Sequence, residues 1–269
     1  MKTILVYVNN DSGFESRFQA ALAFARSFGA HISCLQVTPY DSFVMADPFG
    51  GVYALPTVLE KVRERENTFR SEVEERLRKE GVAWDWHRLD GTPSPTIANR
   101  SSLCDLIVMS LPRQSGDRGG SLAMVGDVVI HARAPVLAVP EESTLFDCLG
   151  PAMVAWNGSA EASHALRLTL PILARASEVH VVTVSEAGDG FPATDACQYL
   201  DRHGVAAQLH EWARDGRSIG EVLREAAAVL RAGYVTMGAY GHSRMSEAVL
   251  GGATREMLQQ SNIPLLLAH

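Results

Sequence analysis

Long apolar runs are absent from this chain of 269 residues. After Met1-Lys2 the stretch TILVYV gives way to Asn9-Asn10, too short for a signal-peptide core or a membrane span. No later segment approaches membrane length, so a soluble, cytoplasmic protein with no membrane partner is expected. Cysteine is scarce. Cys34, Cys104, Cys148 and Cys197 form no C-x-x-C pair, which points to reduced thiols rather than disulfides or zinc. Positive charge is scarce too: the formal net charge is −7 and no basic stripe runs along any segment, arguing against nucleic acid as a partner. The nine histidines are dispersed, without H-x-H or H-E-x-x-H, and predict no metal site. A nucleophile elbow G-x-S-x-G is missing; Ser159, in NGSAEA, reads as a helix cap. No G-x-x-x-x-G-K-[ST] phosphate loop exists, and no G-x-G-x-x-G follows the first strand of either half.

What the chain does contain is one pattern written twice. Hydrophobic residues make up 46% of it, enough for a substantial core. KTILVYVNN near the start resembles PAMVAWNGS at 151–159, and an alanine-rich amphipathic stretch follows each. Phe18, Ala21, Leu22, Ala25 and Phe28 share one helical face; Ala162, Ala165, Leu166, Thr169, Leu170 and Leu173 share the other. Strand-like HISCLQVT and EVHVVTV come next, then a long charged helix seamed by Val58, Val62, Phe69, Val73 and Leu77, matched by a shorter one near 192–203. AWDWHRL pairs with AAQLHEWA, CDLIVMS with AGYVTMG, and APVLAVP with IPLLLAH. Each half thus reads β-α-β-α-β-α-β-α-β, which implies an α/β fold of two tandem five-stranded, doubly wound parallel domains. Their expected strand order is 3-2-1-4-5, with boundaries at 1–140 and 151–269 and a linker at 141–150. Only the first half has the insertion 41–56, whose Phe43, Val44, Met45, Phe49 and Tyr53 suggest a packed cover.

Four glycines crowd into GAYGHSRMSEAVLGGAT at 238–254. This segment follows an apolar strand and precedes a helix, the place where open α/β sheets bind ligands. Glycine there lets backbone N–H groups approach phosphate oxygens, and a helix N-terminus adds positive potential. The spacing G-x2-G-x9-G of Gly238, Gly241 and Gly251, together with the opening MVAWNGSAEASHAL, resembles the universal stress protein family over two tandem domains. The resemblance implies one adenine nucleotide, ATP-type, per chain in the C-terminal half. Gly238, Gly241, Gly251 and Gly252 would form the loop, with His242, Arg244 and Thr254 as further donors, Asn157 near the ribose and Val184 near the adenine.

The match is imperfect. Gly252 stands where the family usually has a hydroxyl residue, while Thr254 keeps the second hydroxyl; one lost neutral hydrogen bond is worth about 1 kcal/mol. Asn157 stands where an aspartate is usual, so it brings no carboxylate to a metal or ribose, and a magnesium ion has no evident ligand. In the first half Ser110 and Arg113 replace the first two glycines, and Arg113 and Arg118 are the remaining cations of a loop whose spacing is gone. The expected function is a non-catalytic stress-response regulator that binds ATP. One alternative is an adapter or dimerisation module without nucleotide, the other a slow ATPase. The terminal strand of each half is an unpaired edge; 135–139 and 264–268 are expected to pair antiparallel, within the chain or in a homodimer.

Overall fold

Strands buried on both faces read as nearly continuous apolar runs, and the central ones here do, apart from Ser110 and Thr236. In a computed structural model, described for residues 1–39, 44–46, 52–54, 56–111, 120–143, 146–184, 191–241 and 252–269, the first half runs β1 (Thr3–Tyr7), α1 (Phe14–Phe28), β2 (His31–Thr38), β3 (Val44–Ala46), β4 (Val52–Ala54), α2 (Pro56–Glu80), β5 (Trp84–Asp90), α3 (Pro93–Arg100), β6 (Leu106–Leu111), α4 (Gly120–His131) and β7 (Val136–Pro140). The second runs β8 (Ala152–Ala155), α5 (Ala160–Leu173), β9 (Val179–Val184), α6 (Ala193–Arg202), β10 (Gln208–Trp212), α7 (Ile219–Val229), β11 (Tyr234–Gly238), α8 (Gly252–Gln260) and β12 (Leu265–Ala268). Every residue of β6, β7, β8 and β12 is buried, whereas the outermost strands β5 and β10 are half-buried or exposed.

Each half has strand order 3-2-1-4-5, as the sequence leads one to expect. The halves are not two separate sheets. They form one ten-stranded sheet, β10-β9-β8-β11-β12-β7-β6-β1-β2-β5. The join is antiparallel: Leu265 faces Ala138, Leu266 faces Leu137 and Leu267 faces Val136. All other pairings in this sheet are parallel. The two terminal strands thereby cover each other's free edge within one chain, as expected for 135–139 and 264–268.

Alternate side chains enter two core layers. Ile4, Val6, Val108, Val154 and Val181 pack with α1, α2, α5 and α6; Leu5, Ile107, Met109, Met153 and Val235 pack with α3, α4, α7 and α8. Helix entries follow from their caps. Ser159 accepts a hydrogen bond from Ala162 N–H at 3.1 Å, and Ser218 with Glu221 closes a capping box on α7. In α2, Phe69, Val73 and Leu77 are buried, Val62 is half-buried and Val58 is exposed, so the expected seam is fully buried only from Phe69 onward. Within the insertion, β3 and β4 pair antiparallel; residues 41–43, 47–51 and 55 fall outside the described residues, as does any cover they make. All four cysteines are free, and burial pushes the Cys34 thiol up to about 12.

Candidate functional site

Parallel pairing brings the carboxyl ends of β8, β9 and β11 to one edge of the sheet. Ala155 lies opposite Val182 and Met237, and Trp156 N–H donates to the Val182 carbonyl at 2.8 Å. Asn157 comes next and is exposed. Its Oδ1 accepts from Ser159 N–H at 3.2 Å, an Asx turn that leads into the α5 cap. Val184, the last residue of β9, is half-buried and sits beside Trp212 of β10. Asn157, Val184 and Gly238 therefore share one edge, as the sequence suggests.

The glycines differ in what requires them. A Cβ on Gly238 would fall on the backbone nitrogen of Ala162 and lie 2.5 Å from the carbonyl carbon of Glu161. That position must be glycine for β11 to approach the first turn of α5, whatever binds nearby. A Cβ on Gly241 would lie 2.8 Å from Glu161 Oε2. Gly252 opens α8; it is exposed, and a Cβ there would meet no atom within 4 Å. Thr254 is buried two residues further into the same turn. His242, Arg244 and Gly251 lie outside the described residues.

Glu161 is the residue that sequence reasoning missed. Its Oε2 is buried and makes no hydrogen bond among the described residues. An acidic residue in a first helical turn is common; only the fold turns this one onto Gly241. Between the two glycines, Tyr240 adopts φ 64° and sends its ring across to α4, where its hydroxyl occupies the space that a side chain on Gly126 would need. Burial pushes that phenol up to about 12.

The matching crevice in the first half is filled by the chain itself. Arg17 of α1 is 2% exposed. It donates to Ser110 Oγ at 2.8 Å, to the Asn9 carbonyl at 3.1 Å and to Asp11 Oδ2 at 3.0 Å. Ser110 Oγ in turn donates to the Gly13 carbonyl at 2.9 Å. The guanidinium also lies 5.7 Å from the Tyr7 ring centre, and burial holds that phenol above its usual range. Beside it, Thr38 donates to Glu66 at 2.8 Å and Arg63 binds Asp90 at 2.6 Å. Arg113 and Arg118 lie outside the described residues.

The two crevices solve one steric problem in opposite ways. In the second half the glycine is at the strand end, Gly238, and α5 keeps its backbone and cap. In the first half the strand end carries Ser110 and the glycine is at the helix cap: a Cβ on Gly13 would lie 2.8 Å from Ser110 Cβ.

Residues 1–140 match the model of the Universal stress protein family. The chain belongs to the universal stress protein family. The matched segment is the half whose glycine spacing has gone. Among solved structures, a universal stress protein from Archaeoglobus fulgidus DSM 4304 is similar over 99% of this chain and 97% of its own, with TM-score 0.76 and 16% identity. A putative universal stress protein from Pseudomonas aeruginosa UCBPP-PA14 is similar over 99% and 92%, with TM-score 0.65 and 14% identity. A functionally unknown protein from Pseudomonas aeruginosa PAO1 covers the same shares at TM-score 0.67 and 16% identity. At such identities these likenesses concern the fold. No curated protein matches the chain. Among the described residues, no helix is long and apolar enough to cross a membrane, and no three His, Cys, Asp or Glu side chains group to hold a metal ion.

Proposed function

We propose that this member of the family is a non-catalytic regulator that binds one adenine nucleotide, ATP-type, in its second half. The observation that carries the reading is the contrast between the crevices. The first is filled by the Arg17, Asp11 and Ser110 network. The second leaves Asn157 exposed, Gly252 open and α8 beginning at that glycine. Backbone N–H groups at such a helix start suit phosphate oxygens, and the Asn157 amide suits a ribose hydroxyl.

Glu161 qualifies the ligand. A carboxylate against Gly241 repels bare phosphate, whereas magnesium is commonly held by one carboxylate plus nucleotide phosphates. The nucleotide is therefore proposed to enter with magnesium, and Glu161 supplies the carboxylate that Asn157 lacks. Among the described residues no group placed as a base accompanies it, which supports holding ATP over cleaving it.

The test is calorimetric titration of ATP with magnesium into the wild type and Gly252→Val. That side chain has room in the fold but would stand where phosphate must approach. One saturable site per chain, weakened about tenfold or more in the variant, is the expected result. Equal affinities would remove the site from contention. A second reading, an adapter that binds no nucleotide, draws on Gly238, whose lack of a side chain is accounted for by α5 alone. It predicts no heat with either protein.

A further inference from the structure

A cleft of about 380 Å³ opens between α5 and α6, within the range of small-molecule sites. Its lining includes none of Asn157, Val184, Gly238, Gly241, Gly252 or Thr254, so it is distinct from the crevice at the strand ends. Trp156, Leu166 and Ala196 are lining residues that are almost fully buried, and they give it an apolar base.

The rim is less ordinary. Phe191 is 64% exposed, yet its backbone is fixed at both ends: its N–H donates to the Gly158 carbonyl at 3.1 Å, and its own carbonyl accepts from Trp156 Nε1 at 2.9 Å. The aromatic ring is thus held at the edge of the cleft by main-chain bonds rather than by packing of its side chain. Tyr199 lines the same cleft, half-buried. Arg167 from α5 and Arg202 from α6 complete the rim, both exposed. Neither makes a hydrogen bond or ion pair among the described residues. Asp195 is the one carboxylate among the lining residues, so the rim carries a net positive charge.

We propose that this cleft binds a small planar aromatic anion, its ring stacked on Phe191 above the apolar base and its acid group met by Arg167 and Arg202. Aromatic faces favour stacked rings, and guanidinium groups bind carboxylate, sulfonate or phosphate oxygens through charge-assisted hydrogen bonds. An uncharged ring would use the base and Phe191 but leave both arginines idle.

Two fluorescent probes separate these contributions: 1-anilinonaphthalene-8-sulfonate, and its uncharged relative N-phenyl-1-naphthylamine. The wild type should bind the sulfonate probe saturably, one per chain. The double variant Arg167→Glu, Arg202→Glu should weaken it about tenfold while shifting the uncharged probe by no more than about twofold. Phe191→Ala keeps both main-chain bonds and should weaken both probes. The proposal is overturned if the wild type shows no saturable binding, if charge reversal leaves sulfonate affinity unchanged, or if Phe191→Ala leaves both probes unchanged. All three side chains are exposed, so circular dichroism should confirm that each variant is folded.

Discussion

The exchange of glycine between strand end and helix cap makes a quantitative prediction. In Gly238→Ala the three atoms nearest the new methyl are all backbone: the Ala162 nitrogen, the Glu161 carbonyl carbon at 2.5 Å and the Ala162 Cα at 2.9 Å. Ordinary contacts lie near 3.4 Å or beyond, so α5 or β11 must shift by the better part of an ångström. Overpacking of this kind costs about 1–3 kcal/mol, and with no rotamer to yield the upper end is expected. Gly13→Ala is different. Its φ of −89° suits any residue, and its clash is mainly with the Ser110 side chain. Alone it should also cost about 2–3 kcal/mol. Ser110→Gly alone loses the bonds to Arg17 and the Gly13 carbonyl, about 1–2 kcal/mol, plus about 0.5–1 kcal/mol for a glycine in a strand. The pair Gly13→Ala, Ser110→Gly recreates the arrangement of the other half, glycine at the strand end and a side chain at the helix cap, and should fall short of the sum of its singles by about 2 kcal/mol. Urea midpoints at unchanged slope measure all four proteins. Strict additivity of the pair, or a neutral Gly238→Ala, would refute the steric account.

Glu161→Gln removes the charge that faces Gly241. Metal-free ATP should then bind about fivefold more tightly, the ~1 kcal/mol left to a partly screened charge pair, and the gain from added magnesium should shrink; calorimetry with and without chelator decides, and unchanged metal-free affinity would count against the carboxylate. Burial, and then His210 at 3.2 Å, hold the His180 imidazole below its ordinary 6.5, against the opposing pull of Glu178. Because the folded value is the lower one, this stability is complete above pH 6.5 and lost as pH falls from there through the folded value. Urea midpoints from neutral to acid pH should drop more steeply for the wild type than for His180→Gln. Asp11→Ala leaves the buried Arg17 guanidinium without its carboxylate and should cost about 1–2 kcal/mol, the usual penalty reduced because Asp11 is partly exposed. Sulfate should restore melting temperature more in this variant than in the wild type, and equal sulfate effects would show that Arg17 does not need the anion.

Element order was legible because each half repeats the same periodic signals, and the final strands announced a free edge through their terminal prolines. What could not be read was contact across the fold. Arg17 stands on a helix whose apolar face was evident, but nothing local says that its guanidinium turns inward to Ser110, 93 residues away. Glu161 has the same character. Its place in a first turn suggests a solvated acid, and its counterpart Glu15 is one, bonded to Arg76 and Gln19. Only the approach of β11, permitted by Gly238, brings a glycine under Glu161. The spacing of glycines marked the right loop, yet spacing alone does not separate a glycine required by a neighbouring helix from one left open to a ligand.

That separation explains how one fold can carry two unequal crevices. Both halves enter their first helix by the same Asx turn, Asp11 to Gly13 N–H at 3.0 Å and Asn157 to Ser159 N–H at 3.2 Å. Four residues beyond each cap lie Arg17 and Ser163. In the first half the turn residue is a carboxylate and the helix offers a buried cation, so each neutralises the other within the chain. An incoming phosphate would have to displace a tethered anion that is always present at high effective concentration. In the second half the turn residue is a neutral amide and the helix offers Ser163, whose hydroxyl donates back to Ser159 O at 2.9 Å. Among the described residues no internal ion pair crosses that crevice. Among the described residues its negative charge comes from Glu161, whose buried Oε2 has no hydrogen-bond partner there and which an incoming divalent cation can neutralise. The asymmetry therefore lies less in the glycines than in which half has already supplied its own counter-ion.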